Sequence, residues 1–181
     1  MFIQTEVTPN PNSLKFIPGK IVSNSGQIEI TNKDQVNNEL VKNLLSVNGV
    51  TGVFLAKDFL SINKENNVDW EDIKHIAKSL ISEFYLEGKD FIYDENIKKN
   101  DRREFIGIEE KIIKILETKV RPAVARDGGD IKFIEFKNGI AKVQLQGSCS
   151  GCPSSTMTLK QGVENLLKHY IPEVKGVEQI S

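Results

Sequence analysis

The sequence predicts an α+β protein of two small α/β sandwich domains joined by a charged linker. Three observations lead there. Runs with apolar residues at every second position stand beside runs spaced three and four apart, first in the opening half of the chain and again in the closing half. Both periods fail in the polar, charged stretch GKDFIYDENIKKNDRREFIG. An Asn138-Gly139 dipeptide, whose two residues both tolerate the positive φ of a type I′ turn, marks a hairpin in the closing half. The expected units are a domain over residues 1–87, a linker over 88–107 and a domain over 108–181.

In the first unit, FIQTEV (Phe2 to Val7) and SLKFIPG (Ser13 to Gly19) read as strands flanking the turn-rich TPNPN. GQIEIT alternates Ile28 and Ile30 with polar residues, as a half-buried strand does. Val36, Leu40, Val41, Leu44 and Leu45 recur at helical spacing. VTGVFLAKD and FLSINK read as a hairpin turning near Lys57 and Asp58. Asp69 is placed to cap a helix whose apolar face is Ile73, Ile76, Ala77, Leu80, Ile81 and Phe84, with Trp70 as a packing residue. A short helical piece is expected around Phe91 to Asn96, within the linker.

The second unit reads α-β-β-α-β. Its first helix carries Ile108, Ile112, Ile115, Leu116 and Val120 and is expected to end near Pro122. DIKFIEF (Asp130 to Phe136) and IAKVQLQ (Ile140 to Gln146) are the strands on either side of the turn, with Ala141, Val143 and Leu145 on one face. A second helix follows with the face Leu159, Val163, Leu166, Leu167 and Tyr170, and EVKGVEQI closes the chain as a strand. DGGD (Asp127 to Asp130) is read as a glycine turn feeding its strand rather than as a cation site.

Charge and length narrow the partners. The chain of 181 residues carries 24 Lys plus Arg against 25 Asp plus Glu, which gives no electrostatic case for a nucleic-acid partner or an anionic membrane. KKNDRR is interrupted by Asn and Asp and reads as a solvated linker. No apolar run approaches the ~20 residues that cross a bilayer. The first residues contain Glu6 and no Lys or Arg before Lys15, unlike a signal or transit peptide. The expected location is therefore the cytoplasm of a bacterium, or an organellar matrix for a processed form. No nucleotide-binding glycine motif is present.

The chemistry concentrates in GSCSGCP, which holds both cysteines of the chain, Cys149 and Cys152, between a strand end and a helix start. A helix N-terminus favours anions, so both thiols are expected to ionise readily in a surface loop. A thiol–disulfide oxidoreductase of thioredoxin type also carries a Cys pair at a strand-to-helix junction, but it needs more sheet after its helix than one short strand. Structural zinc needs four ligands from one folded unit. The two histidines are badly placed for that: His169 stands sixteen residues beyond Pro153 on the same helix, ~24 Å away at ~1.5 Å per residue, and His75 belongs to the other unit. An iron–sulfur cluster takes four thiolates, and one chain supplies two. Two chains meeting at this loop would supply the set, so the loop reads as half of a cluster site.

GSCSGCPSSTMTLKQGVENLLKHYIPEV and VRPAVARDGGDIKFIEF (Val120 to Phe136) closely resemble the C-terminal domain of NifU, the Nfu-type iron–sulfur cluster scaffold family. TPNPNSLKFIPG (Thr8 to Gly19) is similar to the N-terminal domain of the mitochondrial and alphaproteobacterial Nfu proteins. The two resemblances span nearly the whole chain. They imply that Cys149 and Cys152 ligate a 4Fe–4S cluster bridged between the subunits of a homodimer. They also imply a non-enzymatic carrier that receives the cluster from upstream assembly proteins and passes it to apo iron–sulfur proteins, with no cluster in the cysteine-free first half. Arg126 departs from the pattern, where an uncharged polar residue such as Gln is expected.

Overall fold

The structure, a computed structural model, describes residues 1–24, 26–89, 104–151 and 153–180, without the side chains of residues 153–155. The expected helical piece at Phe91 to Asn96 and most of the linker lie outside the described residues.

In the first half, strands β1 (Gln4–Val7), β2 (Ser13–Ile17), β3 (Ile28–Ile30), β4 (Val50–Leu55) and β5 (Leu60–Lys64) form a sheet of order β1-β2-β5-β4-β3, antiparallel at every junction. Helices α1 (Glu39–Leu45) and α2 (Trp70–Leu86) contribute to the same buried cluster as the sheet's apolar residues. Alternation along the strands decides which side chains join that core: Leu14, Phe16, Leu60, Ile62, Val53, Leu55, Ile28 and Ile30 do, together with Leu40, Val41, Leu44, Ile73, Ala77 and Ile81.

The residues between them face the other way, and the ladder register lines them up across the sheet. Lys15 is opposite Ser61, Ser61 is opposite Phe54, and Phe54 is opposite Glu29. Asn63 follows Ser61 two positions along the same strand and therefore shares this outer face.

In the second half, a helical run begins with α3 (Ile108–Ile115), widens into a π turn over Leu116–Val120 and continues as α4 (Arg121–Arg126). The helix therefore passes Pro122 rather than ending there. Proline removes one N–H and crowds the carbonyl four residues back; the widened turn just before it takes up that misfit. Strands β6 (Gly129–Lys137) and β7 (Ile140–Gly147) pair as the expected hairpin, with φ of 53° at Asn138 and 80° at Gly139. Helix α5 (Pro153–Tyr170) then crosses to β8 (Gly176–Ile180), which pairs parallel to β7. Ile112, Leu116, Val120, Ile131, Ala141, Val143, Leu145, Val163 and Leu167 fill this core.

Three local expectations are corrected. Asp69 precedes α2 at the cap position but makes no side-chain capping bond. Ile76 is 48% exposed instead of joining the α2 core face, because that face is narrowed to Ile73, Ala77, Ile81 and Phe84. Tyr170 is also half exposed, stacked under the Lys119 ammonium and edge-on to His169.

Candidate functional site

The cysteine loop leaves β7 at Gly147, whose φ of 67° turns the chain in a way a side chain resists. A Cβ there would also stand 2.7 Å from the Gly128 carbonyl oxygen and 3.0 Å from a Phe54 ring carbon. The loop is pinned to the DGGD turn. The Ser148 amide donates to the Gly128 carbonyl at 3.2 Å, and the Ser148 hydroxyl donates to the Asp127 carbonyl. Ser150 closes the loop on itself, its amide and its hydroxyl both donating to the Gly147 carbonyl, at 3.1 and 2.8 Å. Thr156, in the first turns of α5, donates its hydroxyl to the Cys149 carbonyl. DGGD is thus a cradle for the cysteine loop.

Arg121 holds the far end of that cradle. Its Nε and Nη2 donate to the two carboxylate oxygens of Asp130, each at 2.8 Å, and the Asp130 side chain is only 4% exposed. The pairing stabilises the charged guanidinium, so its pKa moves further up.

Cys149 departs from expectation. It is 8% exposed and belongs to the second core, with its Sγ seated over Gly129. Burial disfavours the thiolate and pushes the thiol up to about 11; Asp127, Asp130 and Glu29 add to the rise, against a weak opposing contact from the Ser148 hydroxyl. The expectation of a readily ionised surface thiol is therefore wrong for Cys149. Desolvation and nearby carboxylates outweigh a helix dipole that acts only near its own first turn. Cys152 lies outside the described residues, so the pair's mutual geometry is a proposal.

The outer face of the first sheet covers this loop. Asn63 Nδ2 donates to the Gly147 carbonyl at 3.1 Å and Asn10 Nδ2 to the Ser150 carbonyl at 3.1 Å. Glu29 Oε1 accepts from the Gly147 amide at 3.1 Å and from the Ser150 hydroxyl at 3.2 Å. Ser61 donates to the Gly128 carbonyl at 2.6 Å, Lys15 reaches the Ala125 and Arg126 carbonyls, and Arg121 donates to Gln27 at 2.8 Å. Phe54, Ala56 and Phe59 form a small apolar cluster against Ile17 and Ala125. Burial raises the Glu29 carboxyl, and its two donors on the loop partly offset that. None of these first-half residues is legible as functional in the sequence. Glu29 and Gly147 are 118 residues apart, and no local pattern links them.

The other candidates behave as the plain readings have them. His75 is exposed beside Glu71, and His169 packs at the C-terminal end of α5. Among the described residues no group of three or more His, Cys, Asp or Glu side chains is arranged to hold a metal ion. Among the same residues no helix is long and apolar enough to cross a membrane.

Residues 112–178 match the NifU-like domain family, and residues 3–88 match the family described as scaffold protein Nfu/NifU N terminal. The chain is 42% identical over 183 residues to the human NFU1 iron-sulfur cluster scaffold homolog, mitochondrial, covering 99% of this chain and 72% of that one. It is 42% identical over 190 residues to NifU-like protein 4, mitochondrial, of Arabidopsis thaliana, covering 99% of this chain and 66% of that one. The chain thus spans about two thirds of the length of that plant relative. A solution structure of a NifU-like protein from Saccharomyces cerevisiae aligns with a TM-score of 0.47 and 31% identity, over 52% of this chain and 86% of that one. With both halves matched in order and a full-length relative at this identity, the chain belongs to the NifU-like, Nfu-type family of scaffold proteins.

Proposed function

We propose that this protein is a non-enzymatic iron–sulfur cluster scaffold and carrier. In this reading Cys149 and Cys152 of one chain, with the same pair of a second copy, hold a 4Fe–4S cluster as cargo. One observation carries the reading: the only two cysteines of the chain sit in one Gly/Ser loop within the NifU-like match, giving two of the four thiolates such a cluster takes. The names of the human and plant relatives, an iron-sulfur cluster scaffold homolog and a NifU-like protein, support the same role.

Delivery is then a ligand exchange without net redox change. Thiolates of an apo iron–sulfur protein take the places of the Cys149 and Cys152 sulfurs on iron, and those sulfurs leave as thiolates or take up protons. Small neighbours at Gly147, Ser148, Ser150 and Gly151 leave room for such an approach. Upstream assembly proteins are the proposed source. The mitochondrial names of the relatives favour an organellar matrix as the place and lend nothing to a bacterial cytoplasm. A redox-enzyme reading is disfavoured by Cys149, because a thiol pushed up to about 11 is a poor nucleophile near neutral pH.

Anaerobic reconstitution with iron and sulfide, followed by Mössbauer spectroscopy and native mass measurement, tests this. The expected product is one 4Fe–4S cluster per dimer, absent in Cys149→Ser and in Cys152→Ser. A full cluster complement in either single variant overturns the assignment. We also propose that residues 1–87 and 108–181 are separate domains. A fragment of residues 108–181 is then expected to fold and to acquire the cluster; a fragment without secondary structure by circular dichroism overturns that division.

A further inference from the structure

The outer face of an antiparallel sheet whose other face carries helices is ordinarily open to water. Here its central residues are not: Phe54 and Ser61 have no exposed surface, and Asn10 is 5% exposed. What covers them is the cradle and loop that carry Cys149. The contacts are specific to loop backbone. Asn63 and Asn10 donate to the Gly147 and Ser150 carbonyls, the residues two before and one after Cys149, while Glu29 accepts from the Gly147 amide and the Ser150 hydroxyl.

We propose that this face is a docking surface for the cysteine loop, filled by the chain's own loop when no cluster is held and vacated when the loop joins a second copy around a cluster.

The inference rests on the cysteine-pair reading above, and two features carry it. The first is geometric. A cluster shared between two copies needs both loops to face each other across the iron. Asn63, Glu29 and Asn10 hold the atoms on either side of Cys149, so the face and a second copy's loop compete for the same approach. The second is the make-up of the contact. It is mainly single hydrogen bonds between polar side chains and main chain, with one small apolar cluster, as in domain contacts that separate readily. It is also imperfect. Asn63 Oδ1 is buried with no hydrogen-bond partner among the described residues, although its Nδ2 reaches Gly147 and Ser150. A donor from water satisfies that oxygen once the face opens, which favours separation.

The first half of the chain thereby shields the loop while no cluster is present and yields to a second copy of this chain. The recognition chemistry of its outer face, two amide donors and a carboxylate acceptor aimed at a Gly-Ser backbone, suits any extended Gly/Ser loop that presents the same alternation.

The test uses the full cluster-free chain and two variants that leave both cysteines in place. Glu29→Ala/Asn63→Ala removes the grip from the strands. Asn10→Asp keeps the Oδ1 acceptor for the Asn12 amide and sets a carboxylate against the Ser150 carbonyl, so it opens the contact without disturbing the turn. Small-angle X-ray scattering of the cluster-free wild type is expected to give a radius of gyration close to the ~16 Å of one compact body of 181 residues. Both variants are expected to give a larger radius at unchanged circular dichroism, and to acquire cluster from iron and sulfide several-fold faster. In the wild type, loading is expected to shift the side-chain amide NMR signals of Asn10 and Asn63. An unchanged radius in both variants, or amide signals that stay put on loading, overturns the docking surface. If the variants open but no form of the chain takes up a cluster, the docking contact stands and the cluster assignment falls. If wild type and variants load at equal rates, the assignment stands and the competition is refuted.

Discussion

Gly129 lies directly beneath Cys149: a Cβ built on the glycine would stand 2.7 Å from the Cys149 Sγ, 2.6 Å from the Gln146 carbonyl oxygen and 3.0 Å from the Cys149 amide nitrogen. Two of those three atoms are backbone and cannot swing aside. Gly129→Ala is therefore expected to lift the cysteine loop off its cradle and to lower stability by about 1–3 kcal/mol, as overpacking in a dense core does. Urea unfolding of the cluster-free chain measures it. The backbone of Gly129 is not left-handed, so the loss is purely steric. Gly162→Ala is the control. Gly162 sits in α5 with open space around it, and alanine there is expected to raise stability by about 0.5–1 kcal/mol.

Arg121 and Asp130 set a second expectation. Arg121→Ala strands a carboxylate that is almost fully buried, and a loss of about 2–4 kcal/mol is expected from thermal or urea unfolding. Arg121→Lys recovers only part of it, since an ammonium cannot reproduce the two-pronged contact at 2.8 Å on each oxygen. Equal stability for Arg121→Lys and the wild type would show that charge alone, not the fork, holds the cradle.

The buried thiol predicts an alkaline weakness. Cys149 is an acid kept neutral by the fold, raised from 9.0 to about 11, so the native chain holds its proton more tightly than the unfolded chain does. Its contribution is fully present below pH 9.0 and is lost as pH climbs towards about 11, amounting to at most roughly 3 kcal/mol. Urea midpoints measured between pH 8 and 11 are expected to fall further in the wild type than in Cys149→Ala. Parallel declines in the two proteins would mean that the thiol is not desolvated in solution.

Periodicity and chemistry are legible in the sequence to different depths. Ile28 and Ile30, the Asn138-Gly139 turn and the alternation through Ala141, Val143 and Leu145 announce their elements, because each rests on local physics. The course of the helix past Pro122 does not announce itself, since a widened turn is a tertiary accommodation that leaves no local mark. Cys149 stands out as a candidate from its spacing and neighbours. Its buried, protonated state depends on Gly129 and on carboxylates from three other places in the chain, and runs opposite to what a position just before a helix suggests. Glu29 and Asn63 look like the solvent side of half-buried strands. Nothing within several residues of either announces a partner more than eighty positions away.

The parallel pairing of β7 with β8 has a consequence for biosynthesis. The first sheet is complete once Lys64 has emerged and its helical cover once Leu86 has, whereas the second sheet waits for a strand at Gly176–Ile180. At ~5–20 residues per second, a nascent chain spends on the order of ten seconds with its first half folded and its second sheet lacking an outer strand. Throughout that interval Asn63 and Glu29 stand ready as an organised template, and the cysteine loop reaches them before its own hairpin has been sealed by β8. The folded first half is then positioned to act as an intramolecular chaperone for the thiols during synthesis.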